Sequence, residues 1–294
     1  MSGVSLNKIK VIAIVGPTAS GKTKFSIDLA QKVNGEIISA DSRLVYKGFN
    51  IGTAKPTKAE MSNIVHHMID VVEPDVEYSA GLYKDSASKI IEEISSKGKV
   101  PIIVGGTGLY IDILLKGYSL PGVVANKELR ESLSKKSNNE LFEMLSRLDS
   151  SALTGLEIND RKKIIRAIEI ITSTGKKLEE SRGMSESIYD IEWIGKNFKR
   201  NELYKRIDER VDDMIDAGLV DETNDLLNKY GRVYNLVNTI GYREIMQYFD
   251  GKLSLNEAIE LLKKNTRNYA KRQLTWFRKN ENIKWDVYPE KLPK

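Results

Sequence analysis

Apolar positions fall in two rhythms along this chain. Over the first third, short unbroken apolar runs (Lys10–Val15, Gly35–Ala40, Met68–Val72 and Val100–Val104) alternate with segments whose apolar residues recur every three or four positions, Lys22–Lys32 and Ala80–Ser96. Unbroken runs suit strands covered on both faces, and the longer period suits helices. Their alternation predicts a parallel sheet with helices on both sides. From about Val123 to Asp190 the pattern changes. Glu128–Lys135, Asn139–Leu148 and Asp160–Thr172 show helical spacing, and no strand pattern stands out. Strand composition returns at Ile191–Gly195, a long helical stretch follows, and Lys284–Tyr288 reads as a final strand. The expected fold is α/β: a parallel sheet covered by helices over residues 1–122 and 191–294, with a small all-helical insertion domain over 123–190. Ligands of such sheets gather beyond the carboxyl ends of the strands, so the residues just after each run are the candidates for chemistry.

Composition narrows the chemistry. With no cysteine there is no disulfide, thiolate nucleophile or thiolate metal site, and with only two histidines there is no His-rich centre. Those two, His66 and His67, are adjacent and point apart on any helix, which favours a structural role. The net charge of +5 is mild and names no partner. Met1–Lys10 lacks the apolar core of a signal peptide, and the run Val11–Val15 is far short of the ~20 residues that span a bilayer. The expectation is a soluble, cytoplasmic protein with no membrane association.

The first strand leads into Gly16, Pro17, Thr18, Ala19, Ser20, Gly21, Lys22 and Thr23, a complete G-x-x-x-x-G-K-[ST] loop that opens a helix. Its amides and the helix N-terminus can hold phosphate oxygens, Lys22 adds positive charge, and the Thr23 hydroxyl is placed to hold Mg²⁺. The expected sheet is therefore P-loop NTPase-like. The motif denotes a polyphosphate without naming it. Asp41 follows the second strand, as a general base, a Mg²⁺ ligand or a turn residue. Gly105–Tyr110 follows the fourth, either aiming the Thr107 hydroxyl and backbone amides into the same cleft or serving as a plain strand–helix turn. A second strand-end aspartate with a water-positioning residue is missing, which argues against nucleotide hydrolysis. Near the C-terminus, Lys263–Lys279 holds seven basic residues and no acid, with Lys264, Arg267, Lys271 and Arg278 on one helical stripe and Tyr269 and Trp276 on another face. That pattern fits either an RNA surface or a solvated helix. Arg161, Lys162, Lys163 and Arg166 form a second basic cluster. Arg206 and Arg210, four apart, suit a diphosphate clasp or an exposed salt-bridged helix.

Taken in order, these segments resemble the tRNA dimethylallyltransferases. The likeness rests on Gly16–Thr23, Ala40–Gly48, Ile51–Pro56, His66–Asp70, Gly105–Tyr110, Asn159–Ile170, Arg206–Met214, Ile240–Ile245 and Ala270–Arg278, nearly the whole chain. Without cysteine there is no place for the zinc finger of eukaryotic members, and the likeness is to the compact bacterial type. The resemblance implies transfer of a dimethylallyl group from dimethylallyl diphosphate to N6 of adenosine 37, beside the tRNA anticodon, with release of diphosphate. By the same resemblance the loop holds the diphosphate, with Mg²⁺ at Thr23. Asp41 is the general base, Thr107 touches the target nucleotide, and Arg210 (or its neighbour Arg206) stabilises the leaving group. The resemblance also carries over contacts to the tRNA anticodon stem-loop. At the strand ends these are Asp41, Ser42, Arg43, Leu44 and Thr107. In the insertion they are Arg130, Lys162, Lys163 and Arg166. Further on they are Gly241, Tyr242 and Arg243, and on the basic helix Lys271, Arg272, Gln273, Thr275, Trp276 and Arg278. A monomer is expected. A P-loop kinase of a small molecule or nucleotide is the alternative enzyme, and a nucleotide-switched RNA-binding protein the non-catalytic one. The first leaves the basic helix unexplained, the second Asp41 and the Gly105 turn.

Overall fold

The computed structural model describes residues 8–119, 121–181, 183–184 and 186–287. The chain forms two compact units, Met1–Leu115 with Ile188–Lys294, and Lys116–Ser187. The first begins with β1 (Ile9–Val15), α1 (Lys22–Val33), β2 (Gly35–Ser39), β3 (His66–His67), α2 (Ala80–Ser96), β4 (Val100–Gly105) and α3 (Gly108–Leu115). The smaller unit holds β5 (Tyr118–Ser119), α4 (Lys127–Ser134), α5 (Asn138–Leu148), α6 (Arg161–Thr174) and β6 (Gly183–Met184). The first unit resumes with β7 (Tyr189–Gly195), α7 (Arg200–Asp216), α8 (Leu219–Tyr230), α9 (Tyr234–Val237), α10 (Tyr242–Phe249), α11 (Leu255–Phe277) and β8 (Lys284–Trp285).

Six strands make one sheet in the order β3-β2-β4-β1-β7-β8, and every pairing is parallel. The alternation of side chains along β1 shows why its run has no polar position after Lys10. Val11, Ala13 and Val15 face a core shared with Ala87, Ile91 and Ile94 of α2, while Ile14 faces Ile27 and Ala30 of α1. Both faces are dry, so both are apolar. A separate core, built on Phe49, Val211, Leu219, Leu236, Tyr242, Ile245 and Leu262, joins α7 through α11. The long α11 starts with a capping box in which Ser254 and Glu257 satisfy each other's backbone amides.

Three expectations need correction. Met68–Val72 is not a strand. The strand is His66–His67, in register with Ile37 and Ile38, and the backbone turns left-handed at Met68 (φ 63) and Asp70 (φ 55). The Val71 and Val72 amides go to the Val45 carbonyl, and Asp70 pairs with Lys55, so the apolar run is spent on a turn. Second, the insertion is not all-helical: β5 and β6 pair antiparallel within the smaller unit, which starts at Lys116 and ends at Ser187 instead of spanning 123–190. Two-residue strands are too short to leave an alternating pattern. Third, the last strand stops at Trp285, and Tyr288 lies outside the described residues. The histidines are structural: His66 Nδ1 meets the Ile64 carbonyl, and His67 Nε2 lies 2.8 Å from buried Glu36. Among the described residues no helix is long and apolar enough to cross a membrane.

Candidate active site

The loop after β1 is shaped by close approach. A Cβ on Gly16 (φ 149) would stand 2.1 Å from the Lys196 carbonyl oxygen, and Gly21 adopts φ 79 at the threshold of α1. Only glycine meets the first demand, and it meets the second most cheaply. The loop closes on itself: Lys22 Nζ donates to the Pro17 carbonyl at 2.5 Å and lies 3.4 Å from Ser20 Oγ. From α7, Arg206 Nε donates to the Ala19 carbonyl at 3.0 Å and Arg210 reaches Thr18 Oγ1 at 3.4 Å. Both arginines thus face the loop. Burial, reinforced by the Arg210 charge, pulls Lys22 down to about 7, against the raising effect of Asp41. Burial also lowers the Arg210 pKa, and Asp41 and Glu60 oppose the shift. One carboxylate therefore sits in the field of two crowded cations.

Asp41 lies two residues beyond β2, where its Oδ1 accepts the Arg43 amide at 2.8 Å and tightens the turn. Thr107 follows β4. Its hydroxyl accepts the Ser42 amide at 3.0 Å, and its own amide donates to the Ala40 carbonyl at 3.2 Å. The two strand ends meet closely enough that a Cβ on Gly105 would stand 2.2 Å from the Ala40 carbonyl oxygen. The turn rests on one face of α11. Tyr269, half-buried and pushed up to about 12 chiefly by desolvation, lies against Thr107, and the Trp276 ring fills the space a Cβ on Gly108 would need. Between them, buried Gln273 accepts the Thr18 amide at 2.8 Å and donates to the Gly106 carbonyl at 3.0 Å.

The structure thus brings together the loop, Asp41, Thr107 and Arg210. Thr23 is exposed at the start of α1. Among the described residues no group of three His, Cys, Asp or Glu side chains could hold a metal ion. Mg²⁺ commonly keeps several waters and takes one or two protein ligands beside substrate phosphates, and a lone hydroxyl at this loop fits that pattern.

Other predicted contacts are engaged internally. Gln273 and Tyr242 are buried, and the Tyr242 hydroxyl donates to Glu222 at 2.7 Å. Arg243 is held by buried Glu244. The basic stripe of α11 is partly neutralised against α7: Arg267 pairs with Asp208, and the Lys271 ammonium lies 5.9 Å from the Tyr204 ring centroid. Lys264, Arg272, Thr275 and Trp276 are exposed. In the insertion, Arg130 donates twice, at 3.0 Å each, to buried Glu169, which also binds Arg166 and the Asn126 amide. Sequence reasoning missed Glu169, and it missed Tyr269 and Gln273 as parts of the site wall. Their signal was present for α11, since positions 269, 273 and 276 share a helix face.

The model of the IPP transferase family matches residues 44–280. The chain belongs to the IPP transferase family. This transferase is 44% identical over 293 residues to tRNA dimethylallyltransferase 2 of Geotalea daltonii, covering 97% of this chain and 90% of that one. It is 43% identical over 285 residues to the tRNA dimethylallyltransferase of Halalkalibacterium halodurans, covering 95% and 91%. Among solved structures, the full-length tRNA isopentenylpyrophosphate transferase from Bacillus halodurans matches with a TM-score of 0.72 and 42% identity, over 95% of this chain and 89% of that one. A eukaryotic dimethylallyltransferase acting on tRNA matches with a TM-score of 0.83 and 31% identity, over 94% and 73%. The transferase shares with them the sheet of P-loop type.

Proposed function

We propose that this transferase moves a dimethylallyl group from dimethylallyl diphosphate to N6 of adenosine 37 in the anticodon stem-loop of tRNA, as a monomer in the cytoplasm. The observation that carries the reading is Asp41, a carboxylate in the field of both Lys22 and Arg210 at the mouth of a phosphate loop. A hydrolase would position water there; an acceptor amine needs a base and a clasp for the leaving group.

The loop amides, Lys22 and Arg210 hold the diphosphate. Arg206, spent on the Ala19 carbonyl, braces the loop. The target adenine leaves its stack to reach the strand ends, as base-modifying enzymes require. N6 attacks C1 of the dimethylallyl group, the C1–O bond breaks, and its electron pair leaves on the diphosphate. Asp41 takes the N6 proton as the N–C bond forms, because the exocyclic amine is a poor nucleophile and proton removal must accompany its attack. Lys22 and Arg210 stabilise the charge that grows on the leaving oxygen. Mg²⁺, held at Thr23 and by the phosphates, supplies further charge neutralisation when bound. Thr107 fixes the Ser42 amide beside Asp41 and so sets where the base points. Lys271 and Arg272 supply positive charge for RNA phosphates, whereas in the insertion Arg166 is spent on Glu169 and Lys163 on Asp160.

The test is incubation with radiolabelled dimethylallyl diphosphate and unmodified tRNA beside an ATP hydrolysis assay. Label should enter tRNA at the adenosine, with no stimulated ATP turnover. ATP-dependent phosphorylation of a small acceptor, with no label in tRNA, would favour the kinase reading.

A further inference from the structure

Buried Gln273 spans two segments that the proposed reaction uses separately. Its Oε1 accepts the Thr18 amide at 2.8 Å, on the diphosphate side, and its Nε2 donates to the Gly106 carbonyl at 3.0 Å, on the acceptor side. The amide orientation is forced, because an N–H needs an acceptor and a carbonyl needs a donor. A Cβ on Gly106 would stand 2.1 Å from that Nε2, so the second glycine of the turn is the space in which the amide sits. The same face of α11 carries Tyr269 against Thr107 and Trp276 against Gly108, so the whole turn is seated on one helix.

We propose that Gln273 is a positioning residue that fixes the spacing between the phosphate loop and the Gly105–Gly108 turn, and thereby couples occupancy of the diphosphate site to seating of the acceptor RNA. Diphosphate ordering the loop sets the Thr18 amide, which sets Gln273 and, through Gly106, the Thr107 hydroxyl beside Asp41. By linkage RNA must tighten diphosphate binding by the same factor as diphosphate tightens RNA binding. This rests on the proposed function, but it concerns the connection between the two sites and not the identity of either.

The experiment measures the dissociation constant of inorganic diphosphate with and without a saturating unmodified tRNA, for the full-length chain and for Gln273→Leu and Gln273→Glu. The unsubstituted chain should show coupling of about 5-fold or more. Gln273→Leu removes both hydrogen bonds and should reduce the ratio to near one. In Gln273→Glu the ionised carboxylate keeps the Thr18 bond but repels the Gly106 carbonyl. Protonated, it both accepts and donates, so the coupling should return as pH is lowered. A role limited to holding the fold together predicts lower melting temperature in both variants and no pH-dependent recovery of the ratio. Absence of coupling in the unsubstituted chain, or coupling preserved in Gln273→Glu at every pH relative to it, would overturn the proposal. If Gln273→Leu fails to fold, the Gln273→Glu series decides. Failure of the proposed function appears differently, as no diphosphate or no tRNA binding in the unsubstituted chain.

Discussion

The depressed ammonium of Lys22 makes donor binding a proton-uptake reaction. Burial and the Arg210 charge bring its pKa to about 7 in the free protein, so at pH 8 about one-tenth of the molecules carry the charge. A diphosphate in the loop restores the favourable partner and refills the site with a proton. Uptake should be about 0.9 proton per donor bound at pH 8, falling to about 0.1 at pH 6. Affinity should fall about 50-fold between pH 7 and pH 9, the ratio of the protonated fractions. Free-protein stability moves the other way. Unfolding returns Lys22 to 10.5, so the folded chain binds fewer protons between about pH 7 and 10.5 and gains stability as pH rises through that window. Titration calorimetry with dimethylallyl diphosphate in HEPES and in Tris at pH 8 reads the uptake from the difference in heats. Lys22→Arg, whose guanidinium stays charged, should abolish the pH dependence whatever it does to affinity. Equal heats in the two buffers, or an unchanged pH dependence in Lys22→Arg, would refute the reasoning.

Asp41→Asn should lower single-turnover transfer about 10²–10⁴-fold while filter binding of tRNA persists, and transfer within threefold of the parent removes Asp41 as base. Replacing Lys271 and Arg272 by Gln should flatten the slope of log tRNA affinity against log salt by about two units. Arg267→Gln should change it less, because Asp208 already neutralises that charge; equal changes in a salt titration would count against this division of the helix. Burial pushes Glu169 up, but hydrogen bonds from Arg130 and Arg166 outweigh it and hold the carboxyl below its ordinary 4.5. Its stabilisation is thus present above about pH 4.5 and lost as pH falls. Glu169→Gln should cost the insertion about 1–3 kcal/mol at neutral pH, read by hydrogen exchange over residues 116–187. Unaltered protection there would show that the arginines are held by something else.

What the sequence disclosed depends on range. The β1 run, the loop that follows it and α1 are local: apolar periodicity and glycine spacing state them within about twenty residues, and the structure agrees to within a residue or two. Asp41 and the Gly105 turn were legible as candidates because topology alone sends strand ends to one edge. The errors arise where a distant partner decides. Met68–Val72 has strand composition, yet the Val45 carbonyl and Lys55 claim its polar groups and bend it. Gln273 and Tyr242 sit among surface-like sequence, yet Thr18, Gly106 and Glu222 bury them. Charge was misleading for the same reason, since a basic stripe in sequence does not reveal the acids that α7 brings to it.

The bridge between Thr18 and Gln273 joins residues 255 positions apart in the chain. β1 likewise lacks its β7 neighbour until Tyr189–Gly195 has been made. During synthesis at about 5–20 residues per second, the phosphate loop is therefore exposed for tens of seconds before the residues that brace it leave the ribosome. A half-made chain presents a loop without its Gln273, Arg206 or Arg210. Translation itself thus acts as a timer that withholds the finished site until α11 is in place, and a messenger interrupted before that helix yields a product with a phosphate loop and no means of using it.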